Sequence, residues 1–304
     1  MDIPVVIDAK KGKEAAKLLY NSFSTTGIHG KTEMPEDLIP AGIKKGSIEH
    51  IIFLTLTVAI DYQRDAPSLW ESSRKTFNDP KTNYLFNPKL LSEASFEKVA
   101  NDMQKYKLSK KPDKDARIWQ TIGTTFYKKW RGNPINFLEN CRWDALNILK
   151  CLETDSHLYN EEIVPDYPYL RGPKIGPLWL RMLKDNAGIT LLRNLDKVPI
   201  PVDIHVARAT LAIGIVRGSV KTKLDKLFEY IRKAWFESVK GLNIRNRQMI
   251  ALDLDEPLWH LSKYGCSKRD KTTNSCPVFN KCEMKELCIK GKIYINNNIV
   301  DLET

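Results

Sequence analysis

The 304-residue sequence lacks the features that would send it into or across a membrane. Its longest apolar run, residues 51–60, contains threonines and is too short to span a bilayer. The first four residues do not begin the basic and then apolar pattern of a secretion signal. We therefore expect an intracellular protein with no membrane partner.

Strand patterns are also scarce. Alternation of apolar and polar residues is nearly absent, and no internal repeat is visible. Helical spacing of apolar residues recurs instead, for example over residues 10–22, 48–61 and 220–240. Ser47 would cap the second of these segments, which is apolar on nearly all sides and therefore buried. Asn133 and Pro134 are expected to cap and begin a helix that runs to residue 153, and residues 154–168 are expected to form a loop. The sequence predicts an all-α fold with short connections.

Acidic residues are fewer than basic residues. There are 48 lysines and arginines against 37 aspartates and glutamates, which gives a net charge of +11 and a pI near 9.2. Such an excess favours a polyanionic partner, because lysine and arginine displace the counterions of phosphates. Nucleic acid is the first expectation, and a soluble protein that is merely basic is the alternative. The lysine-rich stretch over residues 105–114 is expected to be a solvated loop, with contact to phosphate as the alternative.

Cysteines are few and unevenly distributed. Two of the six, Cys141 and Cys151, are isolated and are interpreted as structural. The other four crowd near the C-terminus, with the spacing C-x9-C-x5-C-x5-C: Cys266, Cys276, Cys282 and Cys288. In an intracellular chain such a cluster indicates a metal site, and four thiolates suit either zinc or a [4Fe–4S] cluster.

A glycine- and proline-rich turn occupies residues 170–177, Leu-Arg-Gly-Pro-Lys-Ile-Gly-Pro, and opens onto an apolar helix. Gly172 and Gly176 flank Lys174 in this turn. Glycines let a backbone approach a phosphate closely, and the free N–H groups at a helix start face the anion. The alternative is a plain connection between two helices with a lysine on its surface.

Asp203 stands just before a second helix of small and β-branched residues. An N-cap aspartate stabilises a helix by itself. Its segment, residues 202–208, reads Val-Asp-Ile-His-Val-Ala-Arg. This segment resembles the Val-Asp-Thr-His-x-x-Arg motif of the helix-hairpin-helix DNA glycosylase superfamily, to which endonuclease III and the oxoguanine glycosylases belong. Ile204 replaces the threonine of that motif.

Other segments resemble the same superfamily, and together they cover most of residues 47–288. In the family, an early helix commonly ends in a glutamine and is followed by a helix that contains a tryptophan. Gln63 and Trp70 resemble this glutamine and this tryptophan. Residues 131–134, Arg-Gly-Asn-Pro, look like its Gly-Asp-Pro turn. Residues 258–266 resemble the run into its iron–sulfur loop.

The resemblance implies roles for individual residues. Lys174 matches the lysine that forms a Schiff base with the sugar, and Asp203 matches the catalytic carboxylate. An alternative alignment puts Gly176 on the lysine position and leaves no nucleophile, and Leu170 replaces the first family glycine. The residues implied to contact DNA are Gly172, Gly176, Gln63 (or its neighbour Tyr62), Arg64 and Arg208. His205 is interpreted as a structural hydrogen-bonding residue.

The resemblance also implies two all-α lobes and a cofactor. Residues 47–203 would form a helical barrel that ends in the hairpin, and residues 1–46 and 204–304 would form the lobe that carries the cysteines. The cysteine loop departs from the family spacing C-x6-C-x2-C-x5-C in its first two gaps and keeps the last. Its placement after a tryptophan-bearing helix and Pro277 beside Cys276 favour a [4Fe–4S] cluster, with zinc or no metal as alternatives. The basic residues of this loop can meet phosphates: Lys268, Arg269, Lys271, Lys281 and Lys285.

The expected function is therefore removal of a damaged or mismatched base from double-stranded DNA. The protein is also expected to cut the strand as a lyase through Lys174. We expect it to be a monomer located in the cytoplasm or nucleoid of a prokaryote. Two alternatives stay open. One is a monofunctional glycosylase in which Asp203 activates water, and the other is an iron–sulfur protein that binds DNA without catalysis.

Overall fold

The computed structural model describes residues 3–270, 272–296 and 298–304, and the chain divides into two compact units. We call Met1–Glu33 with Asp196–Thr304 the terminal unit, and Met34–Leu195 the hairpin unit. These borders differ from the expected ones, since residues 34–46 join the hairpin unit and residues 196–203 the terminal unit. Among the described residues, no helix has the length and apolar character needed to cross a bilayer.

Packing explains both differences in the borders. Glu36 is buried and forms an ion pair with buried Arg181, so the segment after residue 33 is fastened to the hairpin unit. Ile200 and Val202 lie in the hydrophobic core of the terminal unit, which draws the segment before Asp203 to that side.

The hairpin unit is mainly helical. Its elements are α2 (Ile48–Ala59), α3 (Ala66–Asn78), α4 (Pro88–Glu93), α5 (Phe96–Asp102), α6 (Pro112–Trp130), α7 (Pro134–Asn140), α8 (Ala145–Thr154), β2 (Ser156–Tyr159), β3 (Glu162–Pro165) and α9 (Ile175–Asp185).

Helix α2 forms the centre of this unit. The Ser47 hydroxyl accepts the His50 N–H at 3.2 Å, as the N-cap prediction requires. The helix is buried from His50 to Ala59. Trp179 of α9 donates its indole N–H to Thr55 at 2.9 Å, which ties α9 to α2 and fixes where α9 begins.

Two features of the hairpin unit differ from the prediction. The expected helix from residue 134 to 153 is split into α7 and α8, because Arg142 and Trp143 adopt left-handed backbone conformations between them. The expected loop after α8 contains the antiparallel hairpin β2–β3. Buried Asp166 anchors it by accepting from His157 Nδ1 at 2.7 Å and pairing with Lys129.

The terminal unit combines helices with a small sheet. Its elements are β1 (Val5–Ile7), α1 (Ala9–Phe23), α10 (Ile204–Ile213), β4 (Val216–Lys223), α11 (Phe228–Val239), β5 (Asn243–Ile244), β6 (Arg247–Gln248), α12 (Asp255–Tyr264), β7 (Lys292–Asn296) and β8 (Ile299–Glu303).

The four-stranded sheet has the order β1-β4-β8-β7 and is antiparallel throughout. Leu302 of β8 lies opposite Val220 of β4 and Ile293 of β7. Helix α10 lies in the core, and its Thr210 hydroxyl accepts the indole N–H of Trp235 from α11 at 2.8 Å. A positive φ at Gly214 ends α10 and turns the chain into β4.

Candidate active site and metal centre

The glycine-rich turn lies directly before α9. Gly172 has a φ of +96°, a conformation that favours glycine, and open space surrounds the position of a Cβ there. Lys174 occupies the N-cap position of α9. The Gly176 N–H donates to the Gly172 carbonyl at 3.3 Å and closes the turn.

Gly176 has a different role from Gly172, because it is buried in the first turn of α9. A Cβ at this position would lie 2.7 Å from Leu149 Cδ2 of α8. Any side chain here must displace Leu149, so position 176 requires a small residue. This packing favours the alignment in which Lys174, and not Gly176, takes the position of the hairpin lysine.

The Lys174 ammonium is oriented by the end of α2. Its Nζ donates to the Asp61 carbonyl at 3.2 Å and lies 4.0 Å from the Asp61 carboxylate. One third of the side chain is exposed, so the amine is reachable from solvent. A cation at a helix N-terminus is opposed by the helix dipole, and helix stability therefore does not explain this lysine.

Gln63 is exposed on the turn that follows α2 and has a φ of +52°. Its main-chain carbonyl accepts from Lys110 Nζ at 2.9 Å, and its side-chain oxygen lies 3.4 Å from Lys111 Nζ. The turn therefore presents Gln63 at the surface, where Lys110 holds its backbone and Lys111 lies near its side-chain oxygen; both lysines belong to the loop before α6. Its contact with DNA stays a prediction.

Arg64 points the other way, into the protein. Its guanidinium donates to the Leu108 carbonyl and, at 3.2 Å, to the Lys107 carbonyl. Burial lowers its pKa, which the negative charges of Asp115 and Asp61 partly oppose. Arg64 therefore fastens the loop before α6 to the turn after α2, and its contact with DNA likewise stays a prediction.

Asp203 caps α10 in the terminal unit, as predicted. Its Oδ1 accepts the His205 N–H at 2.7 Å and the Val206 N–H at 2.9 Å. The backbone of Asp203 is extended, so the chain enters α10 directly from the core segment before it. An anion at this position is stabilised by the helix dipole and by both N–H groups.

The next turn of α10 faces α12. His205 Nδ1 lies 3.2 Å from the Ser262 hydroxyl, and its ring packs on Trp259, which agrees with the predicted structural role. Arg208 donates to the same Ser262 hydroxyl at 3.3 Å. Burial lowers the pKa of Arg208, and the nearby charges of Cys266 and Asp203 oppose that shift. A phosphate contact by Arg208 stays a prediction.

The four clustered cysteines follow α12 and all carry free thiols. Burial raises the pKa of the Cys266 thiol, and the charges of Cys282, Cys288 and Cys276 raise it further. Burial likewise raises the pKa of Cys282 to about 11. Arg269 donates to the Cys288 sulfur at 3.1 Å. The fold therefore gathers four thiols and supplies a cation that stabilises their deprotonated form.

A second group of metal-ligating side chains shares Cys282 with the cysteine cluster. Among the residues that the structure describes, His29, Cys282 and Glu283 have their ligand atoms within 4.8 Å of one another. Four free thiols in one segment suit either a single zinc ion or an iron–sulfur cluster.

Glu283 anchors the cysteine segment to the N-terminal part of the terminal unit. Its carboxylate accepts the main-chain N–H of His29 at 2.8 Å. His29 Nε2 is buried with no hydrogen-bond partner in the described part of the chain. Lys268 and Lys285 of the same segment are exposed, as is Lys281. Lys271 lies outside the described residues.

Comparison with known proteins agrees with this architecture. Residues 187–294 match the family model of the AGOG proteins, described as N-glycosylase/DNA lyase. The match includes Asp203 and the four cysteines and begins after Lys174. The chain is also similar to endonuclease III in a non-covalent complex with DNA, with a TM-score of 0.52, 13% identity, and 92% of this chain and 98% of the other covered.

A second endonuclease III structure, a trapped covalent intermediate with DNA, matches with a TM-score of 0.50 at 14% identity over 91% of this chain and 97% of that one. No protein among the curated sequences is similar enough to match. The predicted helical fold class is confirmed, and the family-model match over residues 187–294 agrees with the predicted superfamily.

Sequence reasoning missed several residues around the hairpin. Asp61 was not recognised as the partner of Lys174, and Tyr169 was not singled out. Lys110, Lys111 and Lys114 were assigned to a solvated loop. The available signal was the density of lysine over residues 105–114, but only the fold brings that segment to the turn after α2.

Proposed function

We propose that this protein is a DNA glycosylase that removes a damaged or mismatched base from double-stranded DNA and then cuts the strand as a lyase. The observation that carries the proposal is the position of Lys174, which begins α9 behind the Gly172 turn with its amine held by the Asp61 carbonyl. Asp203 lies within the segment that matches an N-glycosylase/DNA lyase family. Lys174 lies outside that segment, so its role rests on the hairpin geometry.

The two residues have complementary tasks in this reaction. The neutral amine of Lys174 attacks C1′ of the sugar, and the base leaves with the electrons of the glycosidic bond. A carboxylate stabilises the positive charge that grows on the sugar and accepts the proton that the amine must lose. The C1′–O4′ bond then breaks, O4′ takes up the proton held by the carboxyl group, and the protonated Schiff base forms between C1′ and the lysine nitrogen. The Schiff base permits loss of a C2′ proton with elimination of the 3′ phosphate.

The turn and its neighbours supply DNA contacts in this proposal. Gly172 lets the backbone approach a phosphate, and Gly176 keeps α9 close to α8 so that the turn stays in place. Gln63 is exposed and is the residue we assign to the gap left by the flipped base. The packing of Arg64 and Arg208 supports a structural role at least as well as a DNA contact.

Borohydride trapping on a panel of duplexes with damaged or mismatched bases tests the proposal. We expect a covalent complex with wild type, its loss in Lys174→Ala and Lys174→Arg, and its retention in Lys150→Ala, which changes an exposed lysine of α8. Base release without trapping in wild type would instead support a monofunctional glycosylase with Asp203-activated water. Binding without base release from any duplex would overturn the enzyme proposal in favour of a DNA-binding protein.

We further propose that Cys266, Cys276, Cys282 and Cys288 hold a [4Fe–4S] cluster. The position of the four free thiols directly after the tryptophan-bearing helix α12, Pro277 beside Cys276 and the Arg269 donor to Cys288 support an iron–sulfur group over zinc. Such a cluster would fix the segment after α12, whose lysines can then meet phosphates.

Metal analysis of the purified protein tests the cofactor. We expect a brown protein that contains iron and acid-labile sulfide, and a Cys276→Ser variant that is colourless and unfolds at a lower temperature. A matched Cys151→Ser variant, which changes a cysteine outside the cluster, should keep the colour. A colourless wild type with one zinc ion per chain would overturn the iron–sulfur assignment.

A further inference from the structure

A pair of tyrosines lies beside the hairpin lysine, and neither ring belongs to the core. Tyr62 adjoins Asp61, the partner of Lys174, and Tyr169 precedes the Gly172 turn. Their ring centroids are 5.0 Å apart with an angle of 34° between the planes. The contact joins residues more than a hundred positions apart, so it is a property of the folded hairpin unit.

Tyr62 is the fixed member of the pair. Its hydroxyl donates to Asp115, a buried carboxylate that also accepts from Ser109 at 2.8 Å. Burial raises the pKa of Tyr62, and the hydrogen bond to Asp115 raises it further, so the phenol stays protonated and bonded. Since its hydroxyl is held by Asp115, Tyr62 forms a rigid support for the Tyr169 ring that lies on it.

Tyr169 is the exposed member. Its side chain is 41% exposed, and its φ is +63°. A bulky residue in the left-handed region costs about 1 kcal/mol or more, and glycine or asparagine would make this turn without that cost. Burial of the ring is too incomplete to explain why a tyrosine stands here. The position therefore favours a role for the ring outside the fold.

Cations surround the pair. Lys114 Nζ lies 4.3 Å from the Tyr169 ring centre and 4.8 Å from that of Tyr62. Lys111 Nζ lies 5.4 Å from the Tyr62 ring centre, and Lys110 bonds the adjacent Gln63 carbonyl. The acidic groups nearby are Asp115, already bonded, exposed Asp113 at the start of α6, and Asp61. The lysines outnumber the carboxylates that remain exposed, which leaves a surface suited to an anion.

We propose that Tyr169, resting on Tyr62, stacks against an unpaired DNA base while Lys110, Lys111 and Lys114 bind phosphates of the same strand. We call these five residues the tyrosine–lysine surface. Stacked aromatic rings together with lysines are the combination that binds unpaired nucleotides without reading their sequence. The proposal rests on DNA being the substrate, and it adds a contact separate from Lys174 and Asp203.

Fluorescence of 2-aminopurine tests the stacking. The probe is a duplex with a tetrahydrofuran abasic analogue, and 2-aminopurine is placed opposite the analogue or at either neighbouring position. We expect wild type to quench the fluorescence at one of these positions. Tyr169→Phe should retain the quenching, since the ring is kept. Tyr169→Asn, which suits the left-handed backbone, should lose it and bind about 5- to 100-fold more weakly.

Salt dependence of binding tests the lysines. Lys111→Gln and Lys114→Gln should each make the negative slope of log affinity against log salt less steep by about 0.9. Lys89→Gln, a change at an exposed lysine of α4 in the same unit, should leave the slope unchanged. Thermal unfolding separates a folding defect from a binding defect, and Tyr169→Gly replaces the asparagine variant should that one unfold.

Equal affinity and equal quenching in wild type and Tyr169→Asn would overturn the proposal, as would unchanged slopes in both lysine variants. Base release and trapping by wild type are scored separately. If wild type is trapped and Tyr169→Asn has no effect on binding or quenching, the proposed enzyme function is supported and the tyrosine–lysine surface is rejected. If Tyr169→Asn loses affinity but the protein releases no base, the surface is supported and the enzyme function is rejected.

Discussion

Lys174 and Asp203 both stand at the N-terminus of a helix, in different units, and their electrostatic situations are opposite. Asp203 is an anion that accepts two N–H groups of α10, so it stabilises the helix that it begins. Lys174 is a cation at the start of α9, where the dipole opposes it, and it bonds to a carbonyl from another helix end. The dipole of its own helix therefore favours the first residue and disfavours the second.

The difference separates two kinds of functional evidence. The geometry of an N-cap aspartate is the same whether or not the residue is catalytic, so the role proposed for Asp203 depends on the sequence around it. The role proposed for Lys174 has a further support, because the helix dipole disfavours a cation at this position. The same reasoning applies to Tyr169, whose left-handed backbone and exposed ring are not explained by folding.

The largest expected effect comes from separating the two roles of Asp203. Asparagine caps a helix about as well as aspartate but carries no charge. We expect Asp203→Asn to lower base release by about 10²- to 10⁴-fold, because the developing charge on the sugar is no longer stabilised. Single-turnover base release measures this loss, and thermal unfolding should change little.

Asp203→Ala is the matched comparison, since it removes both the charge and the cap. It should show a similar loss of base release and, in addition, about 1 kcal/mol less stability. Full activity in Asp203→Asn would mean that Asp203 is only a cap, and the comparison with Lys174 would then break down.

A smaller expected effect is the loss of folding stability at low pH, which comes from two buried histidines, one in each unit. Burial lowers the pKa of His50 in α2 and of His260 in α12 to about 4 in both cases. In the folded protein His50 Nδ1 accepts the Gly46 N–H at 3.1 Å, which requires the neutral ring. Both pKa values are below that of an unfolded histidine, near 6.5, so the unfolded chain takes up the proton first.

The resulting pH dependence has a definite sign. The stability contributed by neutral His50 is complete above pH 6.5 and is lost as the pH falls towards 4, by on the order of 2 kcal/mol. Denaturant unfolding at pH 7 and pH 4.5 should show this loss in wild type. His50→Asn keeps an acceptor for Gly46 and should show a smaller loss. An equal loss in both proteins would contradict the assignment to His50.

Local signals predicted the beginnings of helices well. Ser47, Asp203 and Asn133 each accept hydrogen bonds as N-caps, because a capping side chain and the N–H groups it bonds are only two or three residues apart. The cysteine segment was predicted from spacing alone for a similar reason. Features encoded within one stretch of sequence are those that a single sequence reveals.

Tertiary contacts and weak strands could not be predicted in this way. β4 alternates, but its small and charged residues were not distinctive enough to be separated from the helices on either side. The break between α7 and α8 occurs at Arg142 and Trp143, and no glycine in this segment indicates it in the sequence. Asp61 meets Lys174, and Tyr62 meets Tyr169, only because α9 packs on α2.

The smallest expected effect distinguishes the two hairpin glycines. Gly176→Ala places a Cβ 2.7 Å from Leu149 Cδ2, the end of a flexible side chain, so we expect a loss of about 1 kcal/mol in stability. The double variant with Leu149→Ala should show less than the summed loss, because the clash is removed. Gly172→Ala meets no neighbouring atom and should instead cost about 1–2 kcal/mol through its positive φ, with no rescue by Leu149→Ala. Rescue of both glycine variants by Leu149→Ala would contradict the distinct roles of a packing glycine at 176 and a conformational glycine at 172.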